Sequence, residues 1–256
     1  MYNISTMEEK TIYRRIILKV SGEALQNEND GSIYDEKKLK DIADVVKKAH
    51  DIGVQIGIVV GAGNIWRGRL ADEVGIERST ADYMGMLGTI MNALALQSAL
   101  ERLGLETRVM SAINVPQVCE PYIRRRAVSH LENGRVIIFA GGTGNPYFTT
   151  DTCATLRALE ICADAIVMGK NGVEGVYDDD PRKNKDAKLL KRLTYSEVLS
   201  KKLAVMDLTA VAMLAESEVK IHVFNMSDPS VLIDVLKGKD IGSTISKESF
   251  YGPISQ

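Results

Sequence analysis

The chain has 256 residues, 45% of them hydrophobic and 26% charged, and a formal net charge of -2 from 32 basic and 34 acidic side chains. This balance excludes a disordered or fibrous protein, and it supplies no global field to gather a polyanion, so nucleic acid is not an expected partner. The three cysteines, Cys119, Cys153 and Cys162, are odd in number, widely spaced and without flanking histidines, which fits a reducing cytoplasm better than a disulfide framework or a zinc site.

Residues 1–10 contain no apolar leader, and no later run approaches the roughly 18 apolar residues that span a bilayer, so a cytoplasmic protein is expected. The first apolar run, 16–20, reads as a buried strand ending in Lys19-Val20-Ser21-Gly22. An isolated ammonium at a buried strand end is costly, and a Ser-Gly turn there aims backbone amides at the same point. A bound phosphate resolves the cost; a lysine that snorkels to the surface is the alternative.

A helix is expected over about 35–51 and a strand over 54–60, which leads into Gly61-Ala62-Gly63-Asn64-Ile65-Trp66-Arg67-Gly68. That loop opens like a dinucleotide fingerprint, with Asp82 near the acidic position about 20 residues on, but Trp66 stands where the third glycine would allow close packing of helix on strand. Arg67 reads better as a bidentate phosphate clamp, with an ordinary surface arginine as the alternative. The next helix, about 81–103, is apolar nearly all round between Met84 and Leu96, so it must be covered by the core or, as favoured here, by a second subunit.

A helix over about 121–132 carries Arg124-Arg125-Arg126, read as a solvated face. The strand at 136–140 then meets a third loop, Gly141-Gly142-Thr143-Gly144-Asn145-Pro146-Tyr147-Phe148-Thr149-Thr150-Asp151. Its last three residues suit the N-cap and first turn of a helix over 151–162, whose free amides would face an anion, and its aromatic pair would shape a pocket for a base. Further on lie a strand at 165–168, a polar stretch at 178–186 that is either a mobile flap or a solvated connector, a helix at 207–218 and a strand at 220–224. Asp207 is either the plain N-cap of its helix or a charged partner for Lys19.

Strand and helix alternate throughout, which implies an α/β fold: one domain in which a mostly parallel central sheet is covered by helices on both faces, a three-layer α/β/α sandwich. Ligands of such sheets sit beyond the carboxyl ends of the strands, where all three loops lie. Three phosphate-type loops hold more phosphate than one ligand carries, which points to a kinase. There is no G-x-x-x-x-G-K-[ST] loop and no G-x-S-x-G elbow, and His50, His130 and His222 are scattered, so neither a P-loop enzyme, a hydrolase nor a metal centre is indicated.

Leu18 to Ala24, Gly61 to Gly68, Asp82-Tyr83-Met84-Gly85-Met86, Thr143 to Asp151, Leu193 to Val198, Val205-Met206-Asp207-Leu208 and Val223-Phe224-Asn225-Met226 together resemble the bacterial uridylate kinases, a branch of the amino-acid-kinase superfamily. The likeness covers nearly all of the chain after the first dozen residues. It implies phosphorylation of UMP by ATP, with Mg²⁺ carried on the co-substrate. Lys19, Val20, Ser21, Gly22, Gly63 and Arg67 would then meet the ATP phosphates, and Asn171, Tyr177 and Asp180 the adenosine. Asp82 would bind the UMP ribose, while Ala62, Thr143, Gly144, Asn145, Pro146, Tyr147, Phe148, Thr149 and Thr150 enclose the rest of that nucleotide. Lys19, Arg67, Asp151 and Asp207 would form the catalytic set, with Asp207 orienting Lys19 and Asp151 ordering the reacting groups.

The same resemblance implies a lobe at 1–163 for UMP and subunit contacts and one at 164–256 for ATP, in a cytoplasmic homohexamer activated by GTP and inhibited by UTP. One departure stands out: Ala62 replaces the middle of three glycines common in the family, and a requirement for positive φ there would shift the loop. Two other readings remain, a superfamily kinase acting on a carboxylate or carbamate and a non-catalytic nucleotide sensor.

Overall fold

The computed structural model describes residues 11–68, 70–170 and 172–247. Their strands are β1 (Arg15–Val20), β2 (Gln55–Val60), β3 (Thr107–Ser111), β4 (Glu120–Pro121), β5 (Val136–Ala140), β6 (Ala165–Lys170), β7 (Arg192–Thr194), β8 (Lys220–Asn225) and β9 (Ser243–Ser246). The helices are α1 (Glu36–Asp51), α2 (Leu70–Glu73), α3 (Arg78–Arg102), α4 (Arg124–Glu132), α5 (Thr150–Glu160), α6 (Tyr195–Lys201), α7 (Leu208–Leu214) and α8 (Val231–Leu236). A single 3₁₀ turn, Gly22–Leu25, follows β1. The strands form one sheet in the order β4-β3-β5-β2-β1-β6-β8-β9-β7, parallel throughout except where β8 meets β9.

The three-layer sandwich expected from the alternating pattern is what forms. Successive side chains of a strand point to opposite faces, and in β1 Ile16, Leu18 and Val20 enter one core while Ile17 enters the other. The first core lies under α1, α3 and α8, the second under α4, α5, α6 and α7. Lys19 shares the face of Ile17 and so points toward the α5 side. Because β1 and β2 pair in parallel with Val20 opposite Val60, and β2 and β5 with Val59 opposite Phe139, the carboxyl ends of the central strands are level. Their three loops therefore open onto one edge.

Elements absent from the sequence-based reading are β3, β4, β7, β9, α2, α6 and α8. All are short or polar, and the strands among them lie toward the sheet margins, where alternation is weakest. The helix expected from about 121 starts only at Arg124, because Glu120 and Pro121 first pair with β3. Among the described residues no helix is long and apolar enough to cross a membrane; residues 1–10, read for a leader, lie outside them.

One buried titratable group ties the chain's beginning to the sheet. His222 on β8 meets the Tyr13 hydroxyl through Nε2 at 2.5 Å and the Thr244 hydroxyl through Nδ1 at 3.1 Å. Burial, reinforced by the nearby Lys220, pushes the imidazole down to about 4. An unfolded histidine titrates near 6.5, so between these values the unfolded chain binds a proton that the folded one refuses, and stability falls as pH drops through the window. The expected loss attributable to His222 is about 2 kcal/mol between pH 7 and pH 5. Urea denaturation at the two pH values should show that much less pH dependence in His222→Gln than in the wild type.

Candidate functional site

Lys19 stands near the end of β1 with its side chain 17% exposed, and its Nζ lies 2.8 Å from Oδ1 of Asp151. Asp151 belongs to the first turn of α5. The helix begins there because Thr149, in extended conformation, caps it by accepting from the Asp151 and Thr152 amides. This ion pair joins the first loop to the end of the third.

Of the two parts open to Asp207, helix cap or partner of Lys19, the structure shows the cap. It is the N-cap of α7, accepting from the Ala210 amide at 2.8 Å, and its other oxygen accepts from the hydroxyls of Thr149 and Thr152, the latter at 2.9 Å. The carboxylate that meets Lys19 is thus Asp151. Asp207 instead binds the N-termini of α5 and α7 together, because both of its oxygens are taken by donors at those helix starts.

The second loop packs directly on the first. A Cβ on Gly22 would lie 2.5 Å from Asn64 Oδ1 and 2.6 Å from the Gly63 nitrogen, so only glycine permits this approach. Ala62 has no positive φ, and its methyl turns into α3, where a Cβ on Gly88 would approach it to 3.0 Å. The condition for a loop shift at Ala62 is therefore not met, and of this residue only the backbone is left to face the open edge. Val20 is likewise reduced to backbone, since its side chain lies in the first core and its carbonyl accepts from the Gly61 amide at 2.9 Å. Trp66 packs near Gly85 of α3, and the loop runs into turns rather than a helix, which removes the dinucleotide reading.

Arg67 bonds the Gly63 carbonyl through Nε at 3.1 Å and the Glu23 carboxylate at 2.8 Å. It crosses the two phosphate loops with a carboxylate where a clamp would hold a phosphate oxygen. Gly63 packs beside the same Glu23 side chain.

The third loop is shaped by glycines at positive φ, of which Gly141 is the most constrained: a Cβ there would sit 2.7 Å from Ser111 Oγ. Thr143 and Asn145 bond each other, and Gly144 donates to the Gly141 carbonyl. Pro146 leads to Tyr147, held at φ 72 by a bond from its amide to Asp82 Oδ2 at 2.8 Å. Asp82 also receives Arg78 Nε at 3.0 Å on both oxygens, and the Arg78 guanidinium lies over the Tyr147 ring. Tyr147 and Phe148 are exposed, and the Thr150 hydroxyl approaches Gly61 of the second loop.

Between β1, β6 and the segment after β6 opens a cavity of about 760 Å³ lined by Lys19, Ser21, Asp151, Lys170, Tyr177 and Asp180, among others. Asn171 falls outside the described residues. The polar stretch 178–186 is closed at its base, where Asp178 and Lys188, just beyond the stretch, exchange bonds, and its first part forms a wall of this cavity. Lys170 was missed in the sequence, although its place at the end of β6 parallels that of Lys19 on β1. Its ammonium donates to the Ala204 carbonyl at 2.9 Å, and burial pushes its pKa down, Asp151 opposing and Lys19 and Arg182 reinforcing the shift. Arg78 was missed too; its i, i+4 spacing to Asp82 was the available signal.

Other expectations resolve outside this edge. Arg124, Arg125 and Arg126 are exposed on the first turn of α4, with Arg126 3.6 Å from Glu120. In α3, Ala93, Leu96 and Leu100 are buried while Tyr83, Leu87 and Met91 are exposed, so the helix is not wholly internal. Among the described residues no three His, Cys, Asp or Glu side chains are grouped to hold a metal ion.

The family model of the amino acid kinase family matches residues 14–225. A uridylate kinase of Limosilactobacillus reuteri (strain DSM 20016) is 53% identical over 233 residues, 91% of this chain and 97% of the relative. The solved UMP kinase from Bacillus anthracis has a TM-score of 0.90 at 42% identity, covering 93% of this chain and 97% of that one. The UMP kinase from Ureaplasma parvum has a TM-score of 0.86 at 41% identity, covering 91% and 99%.

The double capping by Asp207 has a measurable consequence. Asp207→Ala removes the cap of α7 and the common acceptor of Thr149 and Thr152, and is expected to cost about 2 kcal/mol in chemical denaturation. A change below about 0.5 kcal/mol, the usual scale of a surface substitution, would separate Asp207 from the helix junction.

Proposed function

The chain belongs to the amino acid kinase family, and on that footing we propose that it phosphorylates UMP to UDP with ATP as phosphoryl donor. The observation that carries this reading is the meeting of three glycine-bearing loops about the Lys19 and Asp151 pair, with a cavity on the β6 side and an aromatic-flanked loop on the β5 side. The residue assignments proposed here put ATP in the cavity. Its phosphates would face Lys19, Ser21, the backbone about Val20, Gly22 and Gly63, and Lys170, while Tyr177, Asp180 and Asn171 hold the adenosine. UMP would lie along the third loop, with Asp82 and Arg78 at its ribose side. UMP would thus lie mainly on residues 1–163 and the adenosine of ATP on residues 164–256, with the ATP phosphates between them.

Phosphoryl transfer passes through a loose transition state, and the attacking UMP phosphate is already an anion, so no general base is required. Catalysis then rests on holding two anionic groups in line and neutralising their charge with Lys19, Lys170 and Arg67; the first amides of α5, expected to face an anion, are instead taken by Thr149. Mg²⁺ would enter on the ATP phosphates, since it keeps water and phosphate ligands readily. It would help screen the phosphates, and the described chain brings no dedicated cluster for it. For Arg67 to bind phosphate, its contact with Glu23 must exchange for the ligand. The exposed Tyr83, Leu87 and Met91 stripe of α3 supports assembly of subunits into the proposed homohexamer. Cytoplasmic location and control by GTP and UTP complete the proposal on family resemblance alone.

A coupled assay of ADP release should show turnover with UMP well above that with CMP, dCMP, carbamate or amino-acid acceptors. Nucleotide binding without any ADP formation would favour a sensor instead. In the same assay Lys19→Ala is expected to lower kcat by about 10²–10³-fold, the scale of losing one preorganised charge donor. A near-normal kcat in a folded variant would remove Lys19 from the reaction centre.

A further inference from the structure

Two polar side chains sit inside the otherwise apolar inner face of α3. Thr89 is 3% exposed and Asn92 fully buried. Being three residues apart on a helix, they project on one side, opposite to the exposed Leu87 and Met91. Burying an amide and a hydroxyl there is unfavourable unless their bonds are made, and each makes them to a different loop. Thr89 Oγ1 donates to its own helix at the Met86 carbonyl, 2.6 Å away, and accepts from the Gly141 amide at 2.9 Å. Asn92 Nδ2 donates to the Gly61 carbonyl at 2.7 Å, and its amide group pairs reciprocally with that of Asn64, at 2.8 and 3.1 Å. Asn64 in turn donates to the Ile33 carbonyl, and its Oδ1 abuts Gly22.

We propose that Thr89 and Asn92 are positioning residues that fix the spacing between the loop holding the acceptor nucleotide and the loops holding the transferred phosphate. Both are buried behind the loops. Gly141 is the hinge of the third loop, locked by Ser111 behind it and by Thr89 in front. Gly61 begins the second loop, and the Asn92 and Asn64 pair presses that loop onto Gly22 of the first. With both anchors on adjacent turns of one rigid helix, the two halves of the site cannot move independently. In-line transfer needs that constraint, because small misplacements of reacting groups cost large factors in rate.

The inference rests on the UMP kinase reading, and the test keeps the two apart. Steady-state kinetics and calorimetric affinities for UMP and ATP are measured on the full chain for wild type, Thr89→Val, Thr89→Ser and Asn92→Asp, with melting temperatures alongside. Thr89→Val keeps the shape and loses the hydroxyl, so KM and Kd for UMP should rise about tenfold, the weight of one buried hydrogen bond, with ATP constants within about twofold. Thr89→Ser, which keeps the hydroxyl, should return the UMP constants to within about threefold of wild type. Asn92→Asp retains an acceptor for Asn64 but cannot donate to Gly61, and should lower kcat by about tenfold or more. Unchanged constants with a lowered melting temperature, or equal impairment of Thr89→Val and Thr89→Ser, would overturn the proposal. If Asn92→Asp does not fold, the Thr89 pair decides. Wild type without UMP-dependent ADP release, but with the Thr89 effect on UMP affinity intact, would defeat the functional reading alone.

Discussion

A lysine on the central strand of a sheet buried on both faces must find an anion, and much of this structure is arranged around that demand. Lys19 is fixed by β1, which pairs with β2 on one side and β6 on the other and so cannot shift without disturbing both. Removing a charge from water costs several kcal/mol unless a partner compensates. Asp151 supplies the partner, and its position depends on where α5 begins. That start is set in turn by the Thr149 cap and by Asp207, which holds Thr149 and Thr152 from the neighbouring helix. One charge at a strand end thereby specifies the junction of two helices.

The same demand explains why the edge is suited to phosphate. Lys19, Lys170 and Arg182 line one cavity, and the lowered pKa of Lys170 records burial first, with the attraction of Asp151 opposing it and repulsion from Lys19 and Arg182 adding to it. Asp151 offsets only part of it. A polyphosphate beside Lys19 and Lys170 would favour the protonated form of Lys170. Arg67, on the other side of the loops, is likewise already paired, with the Glu23 carboxylate. Lys19 and Lys170 thus already line the cavity, whereas Arg67 would first have to exchange Glu23 for a ligand.

The layers and the central strands were legible in the sequence because β1, β2, β5, β6 and β8 are apolar on both faces. The margins were not. β3 carries Arg108 within five residues, β7 and β9 span three and four residues, and none offers a run long enough to show a period. α6 did carry a signal that went unread: Thr194 and Glu197 form a capping box. In the site, the loops were visible because glycine and small polar residues follow each strand, whereas the pairings were not. Nothing in the spacing of Lys19, Asp151 and Asp207 tells which carboxylate meets the ammonium; that follows from Asp207 being a better helix cap, with two threonine hydroxyls in reach.

Ala62 shows how a departure from a family pattern can be absorbed. The close approach that glycine alone permits falls at Gly22, where backbone and Asn64 lie within 2.8 Å of a would-be Cβ. Position 62 is one step away, with ordinary φ and its methyl directed at α3. There the complementary small residue is Gly88, on the helix that also carries Thr89 and Asn92. The loop can therefore accept a methyl group because the helix behind it gives up one. The physical requirement is a small pair at the contact between loop and helix, and the pair is met by alanine against glycine. A larger side chain at either position would push the second loop off α3, and with it the Gly61 carbonyl that Asn92 holds.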